Sequence, residues 1–265
     1  MVSGEALPSD RRAAAEAVDA APFDLGEGRD AALCLHGLTG TPYEVRPLGE
    51  ALAAAGVRAL GPLLPGHGGL PEALIPVTHG DWIEAARAAY RALRERHDRV
   101  YAVGLSLGGL LSLWLAAEEE VDALVVVGTP LQLHARAAAL VPVAKRLRRS
   151  LPKWRGSDIR LAEARERHPS MTEMPLASVH ELMRVQQRVR ASLSRVTAPI
   201  LVAHGALDIT ARPDDAREIA GRVASGERVL LWLACSGHVV PVDHDGPALA
   251  RATVDFLTRK RHSLR

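Results

Sequence analysis

Six short apolar runs recur along the chain, each bounded by glycine, histidine, proline or charged residues. They are Ala31–Leu35, Val57–Leu60, Val100–Val103, Ala123–Val127, Pro199–Ala203 and Val229–Leu233. Runs of four to six aliphatic residues bounded by breakers suit strands buried on both faces. The stretches between them carry helical spacing, and strands alternating with helices build a parallel sheet covered on each side. The pattern predicts an α/β fold with a mostly parallel central sheet flanked by helices. Ligands in such sheets sit beyond the carboxyl ends of the strands, which tells where chemistry should be sought.

The helical stretches have readable ends. Thr41 reads as an N-cap, Pro42 as the first helical residue and Glu44 as the reciprocal partner of a capping box. Val45, Leu48, Leu52 and Ala55 then share a face, and Gly56 closes the helix. Trp82, Ala85, Ala89 and Leu93 give a second face within Asp81–Arg96, Leu107–Ala117 suits a buried helix, and a last helix runs from Pro247 to Thr258. Residues 1–29 read as a lead-in, with Ala13–Val18 helical. Residues 30–130 and 197–265 form the two parts of the core.

Residues 131–196 break the rhythm. They show no convincing strand, only helical faces: Leu133, Ala137, Leu140, Val141, Ala144 and Leu147, then Val179, Leu182, Met183, Gln186, Val189 and Leu193. A segment of about 65 residues is too long for one crossover helix and its loops. A small helical lid at the active end of the sheet is expected.

Gly104-Leu105-Ser106-Leu107-Gly108 joins a strand to a helix as G-x-S-x-G. A tight turn leaves no room for side chains two positions either side, so glycine is favoured there, and Gly109 lets helix and strand approach closely. The serine hydroxyl is thereby lifted above the sheet edge. A serine needs a base, and the base needs a third group to fix its tautomer. Of 11 histidines, His238 follows the last strand in a Ser-Gly-His turn, whereas His244 lies beside the final helix and is expected in solvent. Asp208 leaves a strand end directly. Asp214 and Asp215 read as the cap and first turn of a helix, and Asp122 precedes a strand at the wrong end. The backbone N–H of Leu107 and of Leu38, in the loop after Ala31–Leu35, are candidate oxyanion donors. His36 and His67 read as turn anchors.

With those residues assembled, the chain resembles the α/β-hydrolase superfamily over nearly its whole length, and more closely the small bacterial carboxylesterases and monoacylglycerol lipases. The motifs are LHGLTGTPYEVRPLGEAL (35–52), LLPGHG (63–68), DW (81–82), GLSLGG (104–109), HGALD (204–208) and SGHVVPVD (236–243). The resemblance implies a Ser106, Asp208 and His238 triad in the family's order, with oxyanion donors at Leu38 and Leu107. It implies cleavage of carboxylic esters, short- or medium-chain or monoacylglycerol, through an acyl-enzyme. The same triad would also serve an acyltransferase, thioesterase or C–C hydrolase, whereas a dehalogenase would carry Asp at the elbow. The loop HGLTG departs from the HGGG form, and the lid maps onto no pattern, so acyl preference does not carry over.

No metal-ligand spacing and no dinucleotide fingerprint is present, so neither metal nor cofactor is expected. A net charge of +2 with interleaved signs gives no case for nucleic acid. No continuous apolar segment opens the chain and no window approaches the length needed to cross a bilayer, so stable membrane insertion is not expected. Two cysteines, Cys34 and Cys235, make no disulfide framework and point to a reducing, cytoplasmic setting. The basic run Lys145, Arg146, Arg148, Arg149, Lys153 and Arg155 reads as a solvated helix face, or alternatively as a means of transient contact with anionic lipid interfaces.

Overall fold

The computed structural model describes residues 19–133, 135–153 and 156–259; the helical reading of Ala13–Val18 lies outside them. In chain order the elements are β1 (Phe23–Leu25), β2 (Asp30–Leu35), α1 (Arg46–Ala54), β3 (Val57–Gly61), α2 (His79–Arg94), β4 (Arg99–Leu105), α3 (Leu107–Glu118) and β5 (Leu124–Val127). Then follow α4 (Ala135–Leu147), β6 (Ser150–Pro152), α5 (Ala162–Arg167), β7 (Glu173–Pro175), α6 (Leu176–Ser192), β8 (Ile200–Gly205), α7 (Pro213–Arg222), β9 (Arg228–Leu233) and α8 (Gly246–Arg259).

The main sheet has the order β1-β3-β2-β4-β5-β8-β9. All its pairs are parallel except β1 with β3. β4 lies at its centre, and the period-2 pleat sorts its side chains. Val100 and Ala102 enter the layer formed with α2, α3, α6 and α7, while Tyr101, Val103 and Leu105 enter the layer formed with α1 and α8. Both faces of the inner strands β2, β4, β5 and β8 are covered, which is why they read as unbroken apolar runs, but the edge strand β9 is exposed at Arg228, Leu230 and Trp232 because no strand lies beyond it.

Glycines let the sheet and α3 touch. A Cβ on Gly108 would lie 2.0 Å from the Leu35 carbonyl oxygen, and one on Gly109 would lie 2.0 Å from Thr129 Oγ1. Helix α3 is apolar on every side because it is buried on every side.

Several local expectations need correction. β1 lies within the stretch read as a lead-in; three residues are too few to show a period, and Phe23, packed against Gly49 and Gly61, anchors it with help from Leu25 and the Asp24–Arg58 pair. α1 begins at Arg46, because Pro42–Glu44 forms a 3-10 turn and the Thr41 side chain caps nothing. A capping box does exist, but at Thr78 and Asp81, so α2 starts at His79. Its buried face is Trp82, Ile83, Ala86, Tyr90 and Leu93, with Ala85 and Ala89 on the flank.

The segment between β5 and β8 contains strands after all: β6 and β7 pair antiparallel as a short ribbon. Three-residue strands ending in proline carry no readable alternation. In α4, Val141 is buried, but Leu140 and Leu147 are 65% and 85% exposed. Periodicity shows which residues share a face, not whether anything covers it. The second face holds better, with Leu182, Gln186, Val189 and Leu193 buried together with Val185.

Gly108→Ala should be costly, since its new methyl meets fixed backbone rather than a movable side chain. Overpacking of that kind destabilises by about 2–3 kcal/mol, or about 5–10 °C in melting temperature for a chain of this size. Thermal unfolding followed by circular dichroism checks it; an unchanged melting temperature would contradict the close approach.

Candidate active site

Ser106 follows β4 with φ +55° and ψ −114°, a backbone that residues with a Cβ rarely adopt. Neighbours hold it there. Its N–H donates to the Val127 carbonyl at 2.9 Å, its carbonyl receives Leu110 N–H at 3.1 Å, and α3 begins at the next residue. A Cβ on Gly104 would lie 2.2 Å from the Gly108 carbonyl oxygen. The elbow therefore needs glycine at both positions the sequence marked.

Asp208 leaves the carboxyl end of β8, and His238 lies in the loop after β9. Asp208 Oδ1 receives Thr210 and Ala211 N–H, each at 2.8 Å. Oδ2 lies 2.8 Å from His238 Nδ1 and 3.3 Å from His204 Nε2. The His238 Nδ1–H donates to Asp208, which leaves Nε2 as the lone-pair nitrogen. Burial pushes the Asp208 carboxyl up, but the His238 charge and hydrogen bond, the Ala211 amide and His204 outweigh it, and the net shift is down. Burial likewise opposes charge on His238, yet Asp208, then Asp158 and Glu44, raise it overall. Fully buried His204 is driven toward its neutral form.

Ser106 and His238 line one cavity of about 190 Å³, together with Leu38, Glu44, Lys153 and Asp158. As the first residue of α3, Leu107 has an N–H with no intrahelical acceptor, and among the described residues the Leu38 N–H also lacks a protein acceptor. The rivals lie elsewhere. His244 and Asp214 are exposed, Asp215 receives Leu131 N–H at 3.2 Å, and Asp122 receives Val100 N–H at 2.8 Å at the amino end of β4.

His36 and His67 anchor turns, as their surroundings suggested. Leu64 N–H donates to His36 Nε2 at 3.1 Å, so its Nδ1–H donates to the Gly37 carbonyl at 2.9 Å. Burial keeps His36 neutral and pushes His67, which packs edge-on against it at 4.8 Å, down to about 4.

Four further residues at the cavity escaped the sequence reading. Glu44 is no helix cap. Its Oε2 receives Gly37 N–H at 2.8 Å, and its Oε1 lies 3.1 Å from His168 Nε2. Gly40 must be glycine, since a Cβ there would lie 2.2 Å from the Glu44 carboxylate. His168 Nδ1 is 2.6 Å from Ser157 Oγ. Lys153 Nζ donates to Thr39 Oγ1 at 2.6 Å and Ser170 Oγ at 2.7 Å, and burial lowers its pKa. Asp158 Oδ2 receives Ile209 N–H at 2.8 Å. Two glycines ahead of Glu44 were a signal for a buried carboxylate, whereas Lys153, Asp158 and His168 sit in a segment with no period.

Comparison with known proteins adds three findings. The family model for the Serine aminopeptidase, S33 hydrolases matches residues 26–245. Relatives include a thermostable monoacylglycerol lipase of Bacillus sp. (strain H-257), 31% identical over 91% of this chain and 95% of the relative. A carboxylesterase of Bacillus subtilis (strain 168) is 27% identical over 90% and 96%. Among solved structures, one from a study of LipS and LipT, two metagenome-derived lipolytic enzymes, superposes with a TM-score of 0.85 at 29% identity over 91% and 98%.

Glu44 titrates to a testable end. Burial raises its pKa, but His168 at 3.1 Å and the Gly37 amide bring it down to about 2. A carboxyl held lower in the folded state stabilises above its unfolded pKa and loses that contribution as pH falls toward its folded one. Wild type should therefore exceed Glu44→Gln in stability by up to about 3 kcal/mol at pH 6, and the gap should close between pH 4.5 and 2. Urea unfolding of both proteins across that range is the check; a gap independent of pH would mean that the charge contributes nothing.

Proposed function

Because the chain belongs to the Serine aminopeptidase, S33 hydrolase family, we propose that it cleaves carboxylic esters through an acyl-enzyme on Ser106. The observation that carries this reading is the 2.8 Å bond from His238 to a fully buried Asp208 carboxylate, beside a serine held on a strained turn in the same cavity. The names of the relatives, monoacylglycerol lipase and carboxylesterase, support the ester as the bond cleaved.

The chemistry follows from the geometry. His238 Nε2 takes the Ser106 proton as Oγ attacks the ester carbonyl, and Asp208 steadies the imidazolium that forms. The negative charge on the former carbonyl oxygen rests on the Leu38 and Leu107 N–H groups, whose loss would cost about 3–4 kcal/mol each. His238 then returns its proton to the leaving alkoxide, and the alcohol departs. Water, deprotonated by His238, attacks the acyl-serine and releases the acid with Ser106 restored.

A cavity of about 190 Å³ lies below the roughly 300–1,000 Å³ of pockets for drug-sized ligands, which favours short or medium acyl chains. Leu38, Leu133, Val179 and Leu182 supply apolar wall for the chain, and Lys153, Ser157, His168 and Ser170 supply polar wall for an alcohol such as glycerol. A wider groove of about 520 Å³ beside Gln186, Gln187 and Arg190 is lined by no nucleophile–base pair among the described residues.

Residues 131–196 act as the lid in this reading, since they contribute Leu133, Lys153, Met174 and Leu182 to the cavity wall. Among the described residues no helix is long and apolar enough to cross a membrane. On α4, exposed Leu140, Val143 and Leu147 adjoin exposed Arg146 and, just past the helix end, Arg148 and Arg149. That surface suits transient contact with an anionic lipid interface. Free Cys34 and Cys235 fit a cytoplasmic, reducing setting.

Ser106→Ala should lower kcat on p-nitrophenyl butyrate by about 10⁴–10⁶-fold with the fold intact, and a fluorophosphonate should label wild type at Ser106. Near-normal turnover by the variant would end the proposal. Parallel assays on acyl-CoA, diketones and amino-acid anilides separate the ester reading from other uses of the triad. Sedimentation with phosphatidylglycerol vesicles should fall as salt rises; binding indifferent to salt and to lipid charge would exclude steering by the basic residues.

A further inference from the structure

The loops bearing Asp208 and His238 leave adjacent strands and must hold their bases and acids in register. Strand pairing ends at Gly205 and Leu233. Beyond that, within the core, Ala206 N–H donates to the Leu233 carbonyl at 2.8 Å and Leu207 N–H to the Ser236 carbonyl at 3.1 Å. One residue between β5 and β8 bonds to both loops at once. Asp158 Oδ2 receives Ile209 N–H at 2.8 Å and Thr210 Oγ1–H at 3.2 Å, both in the acid loop. Its backbone carbonyl receives His238 N–H at 2.9 Å and Val239 N–H at 3.3 Å, both in the base loop.

The fit is close. A Cβ on Gly237 would lie 2.6 Å from Asp158 Oδ1 and 2.7 Å from its carbonyl oxygen, so the glycine beside His238 is where Asp158 enters. The neighbouring residues extend the hold. Arg160 and Leu161 N–H both donate to the Asp243 carboxylate at 2.8 Å, and that carboxylate also receives Gly237 N–H at 2.8 Å. The Arg160 guanidinium lies 3.2 Å from Asp158 Oδ1 and donates to the Leu207 carbonyl. The carboxylate of Asp158 is 8% exposed and borders the cavity that holds Ser106 and His238.

We propose that Asp158 is a positioning residue for the ester hydrolysis: it pins the acid and base loops to each other, and its carboxylate is a second anion facing the imidazolium that forms on His238. The proposal rests on the reading of Ser106, Asp208 and His238 given above. The inserted segment is then part of the machinery that aligns the base, besides covering the cavity. Around His238, Asp208 Oδ2 lies 2.8 Å from its Nδ1 and also 3.3 Å from His204 Nε2, while Glu44, Lys153, Asp158 and His168 line the same cavity and Arg160 pairs with Asp158.

The sign is fixed by electrostatics. An anion near His238 raises its pKa, so removing that charge lowers it, and the ascending limb of the kcat/KM profile moves to lower pH. Asp158→Asn keeps the shape and one acceptor oxygen but loses the charge. It should lower kcat on p-nitrophenyl butyrate about 10-fold with KM unchanged, and move the limb down by about half a unit. Asp158→Glu should return the limb toward wild type while kcat stays reduced, because the longer side chain displaces the amide acceptors. Asp158→Ala should lose about 10²-fold in kcat.

Rates are taken per Ser106 labelled to completion by fluorophosphonate, which removes any unfolded fraction. An Asp158→Asn profile that superposes on wild type would overturn the proposal, and so would an effect confined to KM, which would make Asp158 a substrate contact. Ser106→Ala is run alongside. If it is inactive, such outcomes refute the role of Asp158 alone; if it retains turnover, the underlying triad reading fails first.

Discussion

Ser106 sits at φ +55° because β4 and α3 approach so closely that the chain between them has one way to turn. Glycines at 104, 108 and 109 permit that approach, and a buried bond to Val127 holds the turn in place. Strain of this kind costs of order 1–3 kcal/mol and persists only where packing overdetermines it. Here the packing is the centre of a seven-stranded sheet with apolar layers on both faces. The reward is a hydroxyl raised above the sheet, next to the unpaired N–H of Leu107 at a helix start. The neighbouring strands then deliver the other groups, since parallel strands place all their carboxyl ends on one side.

Charge at so buried a site must be compensated, and four carboxylates around the cavity are. Asp208 takes two amides and an imidazole, Glu44 an amide and a histidine, Asp158 an amide, a hydroxyl and a guanidinium, and Asp243 several amides. For Asp208, Glu44 and Asp243 these partners outweigh burial and hold the carboxyl below its ordinary range. The carboxylates also serve as struts. Glu44 ties Gly37 in the loop after β2 to His168 of the insertion, while Asp243 ties the base loop to residues 160 and 161. Thr39, itself at φ +65°, is held by Lys153, Ser170 and Met171. Parts of the chain far apart in sequence are thus joined by polar contacts around one cavity of modest size.

Much of this could be read from residues alone. The six apolar runs all became strands of the main sheet; β2, β4, β5 and β8 are buried on both faces, which leaves an unbroken aliphatic signature, whereas β9 at the sheet edge is exposed at Arg228, Leu230 and Trp232. The positions of Ser106 after β4, Asp208 after β8 and His238 after β9 were legible because each follows a strand end, and position relative to a strand is a local property. Glu44 was misread for the opposite reason. Its sequence neighbourhood, Thr-Pro-x-Glu, is that of a helix cap, and only the buried Gly37 amide and His168 drew it inward. β1, β6 and β7 were missed because three residues show no alternation. The exposed face of α4 was misjudged because periodicity does not reveal whether a neighbour exists.

By itself the sequence determined the six parallel strands of the main sheet, the glycines of the turn at Ser106 and the end of the sheet at which Ser106, Asp208 and His238 lie. These depend on hydrophobic period and backbone sterics, which act over a few residues. Only the tertiary structure decided that Asp158, His168 and Lys153 stand around Ser106 and His238. Apart from Arg160 beside Asp158, their partners lie from 11 to more than 100 positions away along the chain, and hydrogen bonds at that separation exist only after packing has brought the loops together.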